Sequence, residues 1–170
     1  MKIDILQLVK GAREARGLTI VIDVFRAFSS ACYVAGNGAG QIISVGGVET
    51  AFRLKAEHPE YPLMGERNER MVEGFDYGNS PFQVESVDFT GKTVVQTTSA
   101  GTRGLVNAVH ADEILTGSFV NADTIVNYII RQSPARVSLV CMGYAARHPI
   151  EEDTLCAEYI GMKLLGETPD

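Results

Sequence analysis

The chain has 170 residues, of which 45% are hydrophobic, and a formal net charge of −6. This length and composition suit a single α/β domain over residues 1–170 with one substantial core. No block of Lys or Arg occurs, so we expect neither a nucleic-acid partner nor a polybasic membrane contact. The charged N-terminus is unlike a signal peptide, and no run reaches the roughly 18 apolar residues of a membrane span, which predicts a cytoplasmic protein.

Apolar and β-branched runs alternate with helical patterns along the chain. We expect strands at residues 2–8, 18–24, 41–45, 62–66, 93–95, 113–117 and 136–142. Helices are expected at 28–38, 48–57, 122–132 and 151–165, with a further helical pattern after Thr102. We interpret residues 10–17 as a connection and the charged segment 65–81 as a long loop, and long loops in compact domains are often functional.

This alternation of strands and helices is typical of βαβ units, which place parallel strands in one sheet. The run LTIVIDV at residues 18–24 is almost continuously apolar, as in a strand covered on both faces. The pattern therefore predicts a three-layer α/β/α sandwich around a mostly parallel sheet.

Polar residues follow most of the predicted strands. In sheets of this kind, ligands bind outside the carboxyl ends of the strands, so these side chains are expected to meet at one edge. They are Asp23 and Arg26, Glu66 and Arg67, the segment Thr97 to Thr102, Ser118 and Asn121, and Gly143.

The segment TTSAGT at residues 97–102 joins a strand to a helix. Small hydroxyl residues and Gly101 let backbone N–H groups point outward at the start of that helix, where an oxyanion binds favourably. Arg103 adds a guanidinium beside them. The same composition also occurs in ordinary helix capping, so the segment alone is a weak signal.

Six motifs follow one another in the order found in one known family. They are IDVFRA (22–27), GER (65–67), GFDYGNSP (74–81), TTSAGTRG (97–104), GSFVNA (117–122), and Cys-x-Gly followed by Glu152-Asp153 with Cys156-Ala157. Through these motifs the chain resembles the 2-phosphosulfolactate phosphatase family over nearly all of residues 1–165. It differs in carrying TTSAGT where a TTTNGT-like loop is expected. It also stops at Asp170, so a C-terminal portion found in relatives is expected to be missing.

The resemblance implies an Mg²⁺-dependent phosphatase of coenzyme M biosynthesis that converts 2-phosphosulfolactate to sulfolactate and phosphate. Such a substrate carries three anionic groups and needs cationic donors and a metal. The implied catalytic residues are Asp23, Arg26, Arg67 and Asp153, and the implied Mg²⁺ ligands are Asp23, Glu66, Glu152 and Asp153. The implied substrate contacts are Asn79, Ser80, Thr97, Thr98, Ser99, Gly101, Thr102, Arg103, Ser118 and Asn121.

Several mechanisms remain open at this stage. A metal-activated water could attack phosphorus with Asp23 or Asp153 as base, or Asp23 could form an aspartyl-phosphate. Cys141 and Arg147 have the Cys-x5-Arg spacing of cysteine-dependent phosphatases, but His148-Pro149 interrupts the helix that would lower the thiol pKa. A haloacid-dehalogenase scheme needs a second acid two residues after Asp23, where Phe25 stands.

Two other functions are also compatible with the sequence. The chain could be a non-catalytic domain that binds anions, or a phosphatase of another small anionic phosphomonoester. Three cysteines without paired spacing argue against a disulfide framework and against structural zinc. The expected partner is a small phosphorylated anion, and a homo-oligomer is left open.

Overall fold

A computed structural model describes residues 1–167. Its strands are β1 (Lys2–Gln7), β2 (Gly17–Ile22), β3 (Gln41–Ser44), β4 (Leu63–Arg67), β5 (Arg70–Met71), β6 (Thr93–Thr97), β7 (Ala111–Gly117) and β8 (Arg136–Cys141). Its helices are α1 (Leu8–Glu14), α2 (Ala27–Gly36), α3 (Val48–Glu57), α4 (Pro81–Val84), α5 (Gly101–Asn107), α6 (Ala122–Gln132) and α7 (Glu151–Leu165). A 3₁₀ turn at Phe119–Asn121 precedes α6.

The first sheet has the strand order β1-β8-β2-β7, and all its pairs are parallel. Its central strand β2 is buried on both faces, as its apolar run predicts. One face packs on α6 and α7, through residues such as Ile129 and Ile160. The other packs on α1, α2 and α5, through residues such as Ala12, Phe28 and Leu105. This sheet therefore has helices on both faces.

The second sheet has the order β3-β6-β4-β5, parallel except for the short β4–β5 hairpin. One face is covered by α3 and the loop before α4, through Ala51 and Phe75. The other is covered by α2 and α4, through Val34 and Val84. Strands β4 and β6 approach closely at Gly65, where φ is 148° and a Cβ atom would lie 1.9 Å from the carbonyl oxygen of Thr97. Only glycine fits there.

Helix α2 lies between the two sheets and belongs to both cores. Its Phe28 and Ala31 pack toward the first sheet, and its Val34 packs toward the second. The side-chain amide of Gln96 on β6 also donates a hydrogen bond to the carbonyl oxygen of Ala27 at 2.9 Å. This buried polar contact joins the second sheet to the start of α2.

The α/β class and the strand–helix alternation are confirmed, but the strands form two sheets rather than one. Alternation along the chain does not specify which strands pair, and β3 and β4 both pair with β6. Residues 8–14 form helix α1, so the predicted connection at 10–17 is wrong in part. The segment 65–81 is not all loop, because it contains the β4–β5 hairpin. None of the helices within residues 1–167 has the length and apolar composition needed to cross a bilayer.

Candidate active site

A cleft of about 470 Å³ opens at the carboxyl ends of the strands, with walls from both sheets. The first sheet contributes segments after β2 and β8 and the start of α7: Asp23, Phe25, Arg26, Gly143, Tyr144, Ala145, Ile150 and Glu152. The second sheet contributes segments after β4 and β6: Glu66, Asn68, Glu69, Asn79, Ser99 and Ala100. Of the strand-end residues that the sequence predicts to converge, six line the cleft and the others do not: the six are Asp23, Arg26, Glu66, Ser99, Ala100 and Gly143.

Asp23 lies at the base of the cleft, where it is only 6% exposed. Its Oδ1 accepts the backbone N–H of Ala27 at 3.0 Å, and the N–H of Gly101 also binds this carboxylate. These donors begin α2 and α5, so two helix N-termini face the carboxylate. Burial, with a smaller effect of the nearby Asp153 carboxylate, nevertheless raises the pKa of Asp23 to about 7.

Asp153 is 1% exposed and does not line the cleft. Its Oδ1 accepts the backbone N–H of Val24 at 2.9 Å, and its Oδ2 accepts that of Gly143 at 2.8 Å. Burial raises the pKa of Asp153, while these two hydrogen bonds act in the opposite direction. Both oxygens therefore bind protein backbone.

Glu66, at the end of β4, fixes the segment after β6. Its Oε1 accepts the backbone N–H of Ser99 at 2.6 Å, and its Oε2 accepts the Ser99 hydroxyl at 2.9 Å. The same Oε2 accepts the N–H of Glu69 at 3.0 Å. Glu66 thereby holds two segments of the cleft wall together.

The TTSAGT segment contributes less directly than its sequence suggests. Ser99 and Ala100 line the cleft, whereas Thr97, Thr98 and Thr102 are buried. The hydroxyl of Thr98 accepts the N–H of Thr102, and the hydroxyl of Thr102 accepts the N–H of Thr98, at 3.2 and 2.9 Å. These bonds are capping chemistry, the alternative interpretation of the segment.

Of the three predicted arginines, only Arg26 lines the cleft. The guanidinium of Arg67 donates to the hydroxyl of Thr97 at 2.7 Å and to the carbonyl of Glu66 at 2.6 Å. Partial burial lowers the pKa of Arg67. Arg103 is exposed on α5 and is not among the lining residues. Arg67 thus supports the cleft wall from behind.

The remaining predicted contacts divide into two groups. Asn79 lines the cleft at 7% exposure, and its Oδ1 is buried without a hydrogen-bond partner among residues 1–167, whereas Ser80 is partly buried beside it. Ser118 and Asn121 form a capping box around the 3₁₀ turn, and the Asn121 side chain also donates to the carbonyl of Thr116. Neither residue lines the cleft, and their polar side-chain atoms bind nearby backbone groups instead.

Comparison with known proteins assigns the family. The sequence profile described as 2-phosphosulpholactate phosphatase matches residues 3–169. The chain belongs to this family. It is 38% identical over 155 residues to a probable 2-phosphosulfolactate phosphatase of Caldicellulosiruptor saccharolyticus, covering 89% of this chain and 64% of that protein.

Relatives with the same name occur in other bacteria. The chain is 35% identical to the protein from Bacillus subtilis over 145 residues, covering 84% of this chain and 62% of the relative. It is 34% identical to that from Clostridium novyi over 164 residues, covering 94% of this chain and 69% of the relative. The chain thus spans about two thirds of the length of these 2-phosphosulfolactate phosphatase relatives.

Some cleft residues of this family member were not predicted from its sequence. Glu69 and Asn68 lie in the β4–β5 turn with φ values of 65° and 50°, and Tyr144 lies in the segment after β8. A hydrogen bond to Glu69 raises the pKa of Tyr144. The long charged segment after β4 was the available signal for the first two. Nothing in the local pattern around Tyr144 distinguishes it from a surface tyrosine.

The carboxylates implied by the family as metal ligands do not form one cluster. Within residues 1–167, no group of three or more His, Cys, Asp or Glu side chains is arranged to hold a metal ion. Asp23, Glu66 and Glu152 line the cleft, and the unpartnered Oδ1 of Asn79 adds a neutral oxygen. These are hard oxygen donors, and Mg²⁺ needs only one or two carboxylates because it keeps several waters. The donor set therefore fits such an ion.

Cys141 is poorly placed for nucleophilic chemistry. It is fully buried and does not line the cleft. Burial raises the pKa of its thiol to about 12, and its Sγ donates to the carbonyl of Asp153 at 3.4 Å. A phosphatase cysteine needs a lowered pKa and access to substrate, so the Cys-x5-Arg spacing with Arg147 does not form such a site.

Proposed function

We propose that this chain is an Mg²⁺-dependent phosphomonoester hydrolase that converts 2-phosphosulfolactate to sulfolactate and phosphate. The observation that carries the proposal is Asp23, a carboxyl group with a pKa of about 7 at the base of a cleft, in a member of the 2-phosphosulpholactate phosphatase family. In the metal-free chain this raised pKa means that ionising Asp23 is costly, so a cation beside it is favoured, and an Asp23 oxygen that does not bind the cation can accept a proton during the reaction. We also propose that the protein is cytoplasmic and that its reaction belongs to coenzyme M biosynthesis.

The charges that line the cleft support a bound cation. Asp23, Glu66, Glu69 and Glu152 are acidic, and Arg26 is the basic residue among the lining side chains of the described chain. A substrate with phosphate, sulfonate and carboxylate groups would be repelled by these carboxylates. We propose that Asp23 and Glu152 would hold Mg²⁺, with Glu66 and Asn79 beside them. When bound, the ion would polarise a phosphoryl oxygen and offset the negative charge.

The protein residues have separate roles in this proposal. Arg26 binds phosphoryl oxygens through its forked N–H donors, and the Ser99–Ala100 segment forms the opposite wall. Asp23 accepts the proton of the attacking water. The water oxygen bonds to phosphorus while the bond from phosphorus to the ester oxygen breaks. The sulfolactate oxygen takes up a proton from solvent as it leaves, and Asp23 then returns its proton to solvent.

The test is phosphate release from 2-phosphosulfolactate and from phospholactate, which lacks the sulfonate, with Mg²⁺ and then with excess EDTA. We expect selective release that EDTA abolishes. Arg26→Ala should lose most activity, whereas Arg53→Ala, which removes an exposed arginine of α3, should retain it. Binding of the phosphate ester without release would support a non-catalytic anion-binding domain. Release that survives EDTA would contradict the proposed dependence on Mg²⁺. Detection of phosphorylated Asp23 after an acid quench would show that Asp23, rather than water, attacks phosphorus.

A further inference from the structure

The two central strands of the first sheet separate at the cleft. The ladder between β2 and β8 runs to Ile22 and Cys141, and the N–H of Met142 still donates to the carbonyl of Ile22 at 3.0 Å. Just beyond this point, the N–H groups of Val24 and Gly143 bind a side chain rather than a neighbouring strand. Buried backbone N–H groups require acceptors. The split between the strands therefore leaves two donors that the sheet does not satisfy.

One side chain satisfies both donors. Asp153, on the third residue of α7, accepts from Val24 with one oxygen and from Gly143 with the other, at 2.9 and 2.8 Å. We propose that Asp153 is a positioning residue that clamps the segment after β2 to the segment after β8. This inference rests on the proposed function, because its effect on the reaction requires the cleft to be the active site.

The clamp holds the two segments by which the first sheet contributes to the cleft wall, one after β2 and one after β8. Val24 directly follows Asp23, the proposed base, and Gly143 begins the segment that carries Tyr144 and Ala145 into the cleft. Asp153 lies behind these segments at 1% exposure. It acts on substrate only through the residues that it holds.

The geometry requires a carboxylate rather than another polar group. An ionised carboxyl accepts with both oxygens, whereas an amide has one acceptor and one donor group. Asp153→Asn would therefore keep one backbone bond and place its NH₂ group against the other N–H. Asp153→Ala would lose both. Glu151→Gln is the matched control, because Glu151 is an exposed acid in the same first turn of α7.

The test combines amide NMR with steady-state kinetics at a temperature where all variants are folded by circular dichroism. The amide proton resonances of Val24 and Gly143 should lie downfield in the wild-type chain, as for N–H groups bound to a carboxylate. One of them should shift upfield in Asp153→Asn and both in Asp153→Ala. We expect kcat to fall about 100-fold, as for a misplacement near 1 Å, with KM changed far less. Glu151→Gln should match wild type in both measurements.

Two results would overturn the proposal. Unshifted Val24 and Gly143 amides in both Asp153 variants would show that the clamp does not exist. Shifted amides with unchanged kcat and KM would show that the clamp has a structural role only. The NMR result does not depend on turnover, so an inactive wild-type chain would refute the proposed function while the amide shifts still tested the clamp.

Discussion

Two hydrogen bonds join Glu66, near the end of β4, to Ser99, which follows β6. The Glu66 carboxylate accepts the backbone N–H of Ser99 at 2.6 Å and the Ser99 hydroxyl at 2.9 Å. A side chain predicted as a metal ligand thus shapes the loop predicted as an anion site. The carboxylate is 8% exposed, so breaking these bonds takes the acceptor away from partly buried donors.

We expect Glu66→Gln to lower both stability and activity. Its amide oxygen can accept the N–H of Ser99, but its NH₂ group would then face the N–H of Glu69. Losing the hydrogen bond of such a partly buried donor costs about 0.5–1.5 kcal/mol. Urea denaturation measures the loss, with Glu57→Gln on exposed helix α3 as control. Unchanged stability together with normal phosphate release would remove Glu66 from the cleft's framework.

Asp23→Asn should stabilise the metal-free protein at alkaline pH while it abolishes turnover. The pKa of this carboxyl rises from 3.8 to about 7 on folding. Below the lower value both folded and unfolded chains are protonated. Between the two values only the folded chain keeps the proton, so the free energy of unfolding falls as pH rises. Above the higher value the full destabilisation is present.

The advantage of Asp23→Asn over wild type should therefore grow from near zero at pH 4 to on the order of 4 kcal/mol at pH 8. Urea denaturation in EDTA across this pH range measures it. Added Mg²⁺ should then raise the melting temperature of wild type and leave that of Asp23→Asn unchanged. A stability difference that does not vary with pH would show that Asp23 titrates normally.

Gly101→Ala should displace the proposed base. A Cβ atom at this position would lie 2.9 Å from Oδ2 of Asp23 and 2.8 Å from Cβ of Ala27. Both neighbours are short side chains with little room to move, so we expect a loss of 1–3 kcal/mol, as in other overpacked sites, and a marked fall in kcat. Gly36→Ala is a suitable control, because a Cβ there meets nothing within 4 Å. Full activity in Gly101→Ala would contradict this arrangement of Asp23.

Iodoacetamide should leave the activity of the folded chain intact. Cys141 and Cys156 are fully buried, and burial raises the pKa of each thiol to about 12. Only Cys32 is partly accessible, and burial raises its pKa as well. Mass spectrometry after labelling at pH 7.5 should find adducts on Cys32 alone, and on all three cysteines after denaturation. Rapid labelling of native Cys141 with loss of phosphate release would restore the cysteine mechanism.

Asp4 should contribute a small, pH-dependent stability. A hydrogen bond from Arg136 at 2.6 Å lowers the pKa of Asp4. A carboxyl whose pKa is lowered by folding stabilises the folded chain at pH values above its pKa in the unfolded chain. This stabilisation is lost as the pH falls through its pKa in the folded chain. Asp4→Asn should cost less than about 1 kcal/mol at pH 7, as for a partly exposed ion pair, and less than that at pH 3. An equal difference at both pH values would contradict the ion-pair origin.

The sequence predicts much of the fold because its strands are marked by their own composition. The apolar run of β2 and the β-branched runs of β6 and β8 each correspond to an observed strand. Asp23 was identified because a carboxylate ending a buried strand has no packing role, and the structure places it at the base of the cleft. Strand pairing was not predictable in this way, because the choice between one sheet and two depends on contacts distant in sequence.

Other candidate residues could not be sorted from sequence alone. The hydroxyls of Thr98 and Thr102 accept each other's backbone N–H groups, and the side chains of Ser118 and Asn121 cap a 3₁₀ turn. The same residue types are equally suited to binding an oxyanion. Arg26 and Arg67 both follow a strand-end acid, and only Arg26 faces the cleft. Which way a side chain points after a strand depends on the exact turn, which composition does not specify.

The layer between the sheets includes two small side chains, Ala27 and Ala31, beside Phe28, and it packs between β2 and β8 on one side and Ile42 of β3 on the other. Each sheet contributes one wall of the cleft. The thickness of the layer between the sheets therefore sets the distance between the two walls. Natural variation at these alanines would widen or narrow the opening without altering any group that meets the substrate. Relatives that process larger or smaller esters could thus diverge through residues that never touch them.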